Sequence, residues 1–195
     1  LAYLPRKRAK KPVARIRFWP KLDADTPRLL AFTGYKAGMT YVFTIEDRKR
    51  SPNFGKEVVR PATVIETPPI LIIGIRTYTK TVYGLKHLTE AWMKDPPAEL
   101  DRALVLPENF ETEKMLKKLD ENLDKTTAVR VITATQPKQA SLSKKKPDIT
   151  EVEIGGATIP QQLEYAKTLL GKPVTAEEVF KEGQYTNTAA ITTGK

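Results

Sequence analysis

The sequence predicts a mainly β protein of the α+β class, with an extended basic N-terminal arm, a small antiparallel β-barrel or sheet, and a later α/β unit. Three observations lead to this prediction. The first 21 residues hold eight basic side chains and no acidic one. Two runs rich in β-branched residues, 58–66 and 70–78, have the composition of strands. After residue 80 helical spacing becomes frequent and acidic residues accumulate.

Residues 1–27 are predicted to be the extended arm, because like charges repel one another and Pro5, Pro12 and Pro20 interrupt any helix. Residues 1–21 of the arm contribute +8 of the chain's formal net charge of +10, which favours a polyanion as the partner, and nucleic acid is the commonest one. A membrane surface is less favoured, since the prolines prevent an amphipathic helix. Trp19 either stacks on an unpaired base or packs back on the domain. The arm residues expected to contact nucleic acid are Arg6, Lys7, Arg8, Lys10, Lys11, Arg15, Arg17, Trp19 and Lys21.

The β-rich part begins with short predicted strands at 28–32 and 39–45, joined by a glycine-containing segment, Gly34–Gly38. The backbone of that segment could approach a phosphate, with Tyr35 and Lys36 adding stacking and charge; a tight turn with Tyr35 in the core is an equal alternative. A charged loop follows at residues 46–57, and its candidate contacts are Arg48, Lys49 and Arg50. Strands 58–66 and 70–78 are then separated by Pro68 and Pro69.

The later unit, roughly residues 80–185, alternates helices and strands. Phe110–Leu123 has helical spacing, and strands are predicted at 128–135 and 149–154. Between them lies a basic loop whose candidate contacts are Lys144, Lys145 and Lys146. Capping boxes at Thr158 with Gln161 and at Thr175 with Glu178 predict two further helices. The last predicted strand is 189–193.

Catalytic and metal-dependent functions find little support in the residue inventory. The chain has no cysteine and one histidine, His87, which we interpret as structural or exposed. Gly34–Gly38 lacks the Gly-Lys-Ser/Thr ending and the following helix of a phosphate-binding loop. The longest apolar run, Ile70–Ile75, is too short to cross a bilayer, and the basic start lacks the apolar stretch of a signal peptide. We therefore expect no enzyme activity, cofactor, metal, membrane partner or small-molecule substrate.

Several strings occur together in a characteristic order along the chain. They are Leu4-Pro-Arg-Lys-Arg-Ala9, Gly34-Tyr-Lys-Ala-Gly-Met-Thr40, Val64-Ile-Glu-Thr-Pro-Pro69, Tyr83-Gly-Leu-Lys86, Glu90-Ala-Trp92, Lys144-Lys-Lys-Pro-Asp148, Gly155-Gly156, Tyr165-Ala-Lys167 and Val179-Phe180. This ordered set resembles the large-subunit ribosomal protein L3 family in its archaeal and eukaryotic form, and the loop 46–52 is more similar to archaeal members.

The resemblance implies a structural constituent of the large ribosomal subunit that binds its ribosomal RNA during assembly, with neighbouring ribosomal proteins as partners, in the cytoplasm. It also implies a translation-protein-type barrel formed by residues 28–78 and a returning strand within 186–195, with an inserted α/β subdomain at 79–185. The family continues well beyond Lys195, so the chain is expected to be incomplete. Thr193 stands where the family usually has lysine, which weakens an expected phosphate contact there.

Two other classes of function remain open from the sequence. A free-standing nucleic-acid architectural or chaperone protein would share the basic arm but bind many sequences with little structural preference. An RNA-modifying enzyme would need a cofactor pocket or a general base, and the sequence offers neither convincingly.

Overall fold

Six strands form the main sheet of the structure, a computed structural model that describes residues 7–107 and 110–192. The order of its principal strands is β1-β7-β6-β4-β5, with β8 pairing the end of β4, and every pairing is antiparallel. Two further strands, β2 and β3, pair with each other and with no other described strand. The strands are β1 (Arg28–Leu29), β2 (Tyr35–Ile45), β3 (Glu57–Glu66), β4 (Ile70–Thr81), β5 (Gly84–Trp92), β6 (Ala128–Ala134), β7 (Ile149–Gly155) and β8 (Pro173–Val174).

In the described part of the chain, three α-helices accompany the sheet: α1 (Thr112–Glu121), α2 (Ile159–Leu169) and α3 (Ala176–Val179). Both predicted capping boxes are confirmed. Thr158 caps α2 reciprocally with Gln161, and Thr175 caps α3 with Glu178. The backbone after α2 reverses at Gly171, whose φ of +77° is a conformation that side-chain-bearing residues rarely adopt. Local sequence chemistry therefore sets the limits of these helices.

The main sheet is covered on one face and on part of the other, so the apolar side chains at the start of β4 are buried on both sides. One face packs against α1 and α2, and this larger core contains Ile72, Ile75, Val131, Leu119 and Leu163. The other face carries a smaller core near the end of the sheet, made by Ile73, Leu100, Ile132 and Ala134. A register shift between Ile72 and Gly74 in the pairing with β6 accompanies this division of neighbouring isoleucines.

The strand pairing of the β-rich part differs from the predicted one, and the described residues form no closed barrel. β3 pairs with β2 across the loop 46–56, whereas β4 lies between β5 and β6 in the main sheet. β1 shrinks to two residues and pairs with β7. The physical reason is that β4 is apolar on both faces and is buried only as a central strand.

Three further differences concern individual segments. The expected turn at Gly34–Gly38 is largely part of β2, which bulges between Lys36 and Gly38. β5 and β8 were not predicted as strands. Residues 189–192 form no strand, and Thr193 lies outside the described residues. The arm from residue 7 to residue 27 contains no helix or strand.

We expect Ile75→Ala to lower the free energy of unfolding by about 2–5 kcal/mol, because it removes buried methyl groups and leaves a cavity beneath α1 and α2. The matched control is Val105→Ala, since Val105 is fully exposed and its loss should change stability by no more than about 0.5 kcal/mol. Urea denaturation measures both. Equal effects of the two substitutions would contradict the assignment of the core.

Candidate nucleic-acid interface

The arm presents its positive charges to solvent. All seven described cations between residues 7 and 21 are exposed, and none lies within 4.0 Å of a described carboxylate. Arg6 lies outside the described residues. The seven are Lys7, Arg8, Lys10, Lys11, Arg15, Arg17 and Lys21. This segment is therefore a strong source of uncompensated positive potential, as an interface for a polyanion requires.

The second half of the arm is held on the main sheet through Trp19. The indole packs against the larger core, and the Arg130 guanidinium lies 6.0 Å from its ring centroid. The buried Nε1 of Trp19 has no hydrogen-bond partner among the described residues. Of the two interpretations of Trp19, the structure shows packing on the domain. The cations that precede Trp19 in the sequence extend from this anchor.

The arm is also fixed where it reaches the β7–α2 connection. The Ala157 N–H donates to the carbonyl oxygen of Ala24 at 2.6 Å. A Cβ atom at Gly156 would lie 2.4 Å from the Thr26 carbonyl oxygen, so only glycine allows this approach. The string Gly155-Gly156 thus has a packing role, and it determines where the arm leaves the sheet.

Beside the anchor, an ionic row crosses four strands of the main sheet. Paired residues place Glu90 on β5 opposite Arg76 on β4, Arg76 opposite Arg130 on β6, and Arg130 opposite Glu153 on β7. Arg76 donates from Nε and Nη2 to Glu90 at 2.9 and 2.7 Å, and Arg130 Nη2 lies 2.9 Å from Glu153. Glu151, next to the row, contacts Arg76 and accepts a 2.7 Å hydrogen bond from Tyr78.

The row favours the charged forms of Arg76 and Glu90. Burial alone would lower the pKa of Arg76, but hydrogen bonds with Glu90 outweigh it and raise that pKa above its usual range. Burial alone would raise the pKa of Glu90, but hydrogen bonds from Arg76 and Trp92 hold it below the ordinary value. Arg130 also stacks over the Tyr78 ring at 4.7 Å. These arginines are neutralised internally, in contrast to the arm cations.

Two predicted contact segments that are distant in sequence meet at Asp148. The Tyr35 hydroxyl donates to Asp148 Oδ2 at 2.9 Å and lies 2.8 Å from Thr135 Oγ1, and Lys144 Nζ lies 2.6 Å from both carboxylate oxygens. Burial raises the pKa of Tyr35 to about 12. Lys36, adjacent to Tyr35 in β2, is exposed. The Tyr35 hydroxyl and the Lys144 ammonium are thus already occupied by internal partners.

The other lysines of that loop and the hairpin-tip cations are exposed. Lys145 and Lys146 have no carboxylate within 4.0 Å among the described residues. Arg48 lies 3.9 Å from Glu46, which is bound more closely by Arg60 at 2.8 Å, while Lys49 and Arg50 are unpaired in the described part. β2 is 11 residues long, so it separates the Arg48–Arg50 tip from Tyr35 by roughly 30 Å. The structure does not bring all the predicted contacts onto one small patch.

Sequence reasoning missed the arginines and glutamates of the ionic row. The sequence did contain a signal for them, because in each strand a charged residue stands between two buried apolar residues and so must lie on the opposite face of the sheet. Arg130 stands between Val129 and Val131, and Glu153 between Val152 and Ile154. His87 is about half exposed, with Nε2 3.5 Å from Glu90. In the ranges 7–107 and 110–192 no cluster of three potential metal ligands occurs. None of the helices described there has the length and apolarity needed to traverse a bilayer.

Comparison with known proteins finds one family and many archaeal relatives. The family model described as Ribosomal protein L3 matches residues 1–195. Proteins named large ribosomal subunit protein uL3 are similar to the chain, with 44% identity in Pyrobaculum calidifontis, 45% in Aeropyrum pernix and 46% in Methanococcus vannielii. The alignments cover 98%, 100% and 100% of this chain and 57%, 58% and 58% of the respective relatives. The chain thus spans less than two thirds of their length.

We expect Tyr35→Phe to lower the free energy of unfolding by about 1–2 kcal/mol at pH 7, because two hydroxyl hydrogen bonds are lost. Since the native pKa is about 12 and the usual value 10.0, the unfolded chain releases this proton first. The stabilisation is therefore complete below pH 10.0 and is lost as the pH rises toward about 12. Urea denaturation at pH 7, 10 and 11 should show the difference shrinking. Tyr185→Phe, at an exposed tyrosine, is the control, and a constant difference would contradict the assignment.

Proposed function

Because the chain belongs to the ribosomal protein L3 family, we propose that it is a structural constituent of the large ribosomal subunit, binding large-subunit ribosomal RNA and supporting assembly. Its partners are this RNA and neighbouring ribosomal proteins, its location is the subunit in the cytoplasm, and it catalyses no reaction. The single observation that supports RNA binding is the arm, whose seven described cations are exposed and have no carboxylate partner among the described residues.

The distribution of ion pairs supports a division of roles between the arm and the sheet. Arg76 and Arg130 are bound by Glu90 and Glu153, so adding a phosphate there would compete with existing partners. The arm cations instead release counterions when they meet phosphates, which is favourable at moderate salt. The interface therefore recognises mainly RNA backbone and shape, since A-form helices hide base edges in a deep, narrow groove.

Secondary contacts extend the interface beyond the arm. Lys36, the loop cations Arg48, Lys49 and Arg50, and the lysines Lys145 and Lys146 are exposed and supply further phosphate contacts. Tyr35 supports Lys36 by fixing the start of β2 through its hydrogen bond to Asp148. Lys144 contributes less than its neighbours, because Asp148 already holds its ammonium at 2.6 Å.

For the fold of the whole protein we propose a barrel that includes the β2–β3 hairpin. Met39, Tyr41, Phe43 and Ile45 alternate along β2 on one face and are 64–73% exposed, a larger apolar surface than a finished sheet leaves in water. Strands outside the described residues would cover this face. We place the start of the inserted subdomain at Pro68-Pro69 rather than at residue 79, because β4 pairs with β5, β6 and β8.

The arm can be tested by replacing its eight cations with glutamine, which keeps Trp19 in place. If about half of them meet phosphates, the slope of log affinity against log salt for large-subunit ribosomal RNA should flatten by roughly 3–4. Filter binding at several KCl concentrations measures the slope. The control replaces Lys117, Lys118 and Lys125, exposed lysines of the acidic segment, and should leave it unchanged.

If the slope of log affinity against log salt is the same for the arm variant and the unaltered chain, the proposed interface is wrong. The same assay separates a ribosomal protein from a general nucleic-acid chaperone. Competition by random duplex RNA should be at least about tenfold weaker than competition by ribosomal RNA, which corresponds to roughly 1.4 kcal/mol.

The barrel can be tested with Phe43→Asp. In this 195-residue chain the substitution should change the free energy of unfolding by no more than about 0.5 kcal/mol, because Phe43 is exposed. In a chain extended with the remaining part of the Methanococcus vannielii relative, it should cost about 3–5 kcal/mol, since a covered aromatic is replaced by a carboxylate. Urea denaturation compares the two, and a small effect in both would rule out the barrel.

A further inference from the structure

The β4–β5 hairpin ends in two large side chains that contact almost nothing. Val82 and Tyr83 are 98% and 102% exposed, while Thr81 and Gly84 form the last pair of the ladder. The Thr81 hydroxyl donates to the Gly84 carbonyl oxygen at 2.8 Å and closes the turn. Tyr83 therefore contributes nothing measurable to the packing of the described fold.

The turn itself does not require an aromatic residue at its tip. Gly84 has a φ of +113°, which glycine adopts readily, and neither Val82 nor Tyr83 has a positive φ. Short hairpin loops of this kind favour Asn, Asp, Ser or Gly, which hydrogen-bond locally and are well hydrated. An apolar residue and a tyrosine at fully exposed positions indicate a surface that becomes covered.

The charge around the tip favours a polyanion as the covering partner. No acidic residue occurs between Glu66 and Glu90, a stretch that contains Lys80 and Lys86. Both lysines are exposed, and neither lies within 4.0 Å of a described carboxylate. Lys80 pairs with Leu85 and Lys86 with Thr79, so the lysines lie on opposite faces of the hairpin. Either face of the tip thus offers a cation.

The tip is continuous with the arm. β6 pairs with β4 only as far as Tyr78. The last residues of β4, Thr79 to Thr81, therefore pair with β5 and extend past the end of β6. Leu85, the cross-strand partner of Lys80, lines the same cleft as Phe18, Trp19 and Arg130. An RNA strand bound to the arm near its Trp19 anchor would therefore reach the hairpin tip.

We propose that the β4–β5 tip is a second RNA contact, in which Tyr83 stacks on an unpaired base while Lys80 and Lys86 contact the flanking phosphates. The inference rests on the proposed function, and it identifies single-stranded or looped RNA as the element recognised there. Stacking on an aromatic ring suits unpaired bases, whose faces are accessible, and it tolerates any base. The two lysines supply the accompanying backbone contacts.

Filter binding of the chain to deproteinised archaeal large-subunit ribosomal RNA tests this contact. Tyr83→Ala should weaken binding roughly 5- to 150-fold, the range expected for one lost stack, with an unchanged salt slope. Tyr83→Phe should restore binding, because the ring remains. Joint replacement of Lys80 and Lys86 by alanine should flatten the slope by about 1–2. Tyr185→Ala is the matched control, since Tyr185 is 98% exposed, and should bind like the unaltered chain.

The outcomes separate this contact from the general function. If Tyr83→Ala binds as tightly as Tyr185→Ala while the glutamine arm variant binds weakly, the tip proposal is wrong and RNA binding by the arm stands. If Tyr83→Phe binds as weakly as Tyr83→Ala, stacking is excluded. Normal RNA affinity of Tyr83→Ala with impaired incorporation into subunits would assign the tip to a protein partner. If ribosomal RNA and random duplex compete equally, both proposals fail.

Discussion

Strand β4 has to be covered on both of its faces, because it places Ile72 and Ile75 in one core and Ile73 in the other. A strand of this kind is stable only in the interior of a sheet with material packed on each side. β5 and β6 supply its neighbours, α1 and α2 cover one face, and the segment around Leu100 covers part of the other. The positions of the other elements of the main sheet follow from this requirement.

The uncovered remainder of the second face explains the ionic row. Where none of the described helices lies over the sheet, the strands carry Arg76, Arg130, Glu90 and Glu153 in place of apolar residues, and cross-strand pairing neutralises them. The same pairing leaves Arg130 free to lie over Tyr78 and against Trp19, so the row also anchors the arm. Charge in the ionic row is thus balanced internally, whereas charge in the arm is directed outward.

Two hairpins extend from this framework with apolar side chains in solvent, and they differ in kind. β2 and β3 expose a broad apolar face along an entire strand, which suits further strands packing on it. The β4–β5 tip exposes only Val82 and Tyr83, flanked by lysines, which suits a small contact with a charged partner. The size and electrostatic setting of exposed apolar groups therefore distinguish a surface for folding from a surface for recognition.

Sequence alone determined the features that depend on neighbours along the chain. The capping boxes at Thr158 and Thr175 set helix starts, alternation and β-branching located β3, β4, β6 and β7, and charge clustering identified the arm. The ordered motifs also led to the family that the comparisons show. β5 escaped prediction because its exposed polar residues and few buried positions leave no strong alternation.

Only the tertiary structure decided which strands pair, that Trp19 anchors the arm, and that the Tyr35 hydroxyl donates to Asp148, which lies 113 positions later in the chain. Each of these contacts joins residues far apart in the chain, and each contributes only a small net free energy. Their choice depends on the simultaneous burial of β4 on both faces, a condition that involves the whole fold and that no local pattern contains.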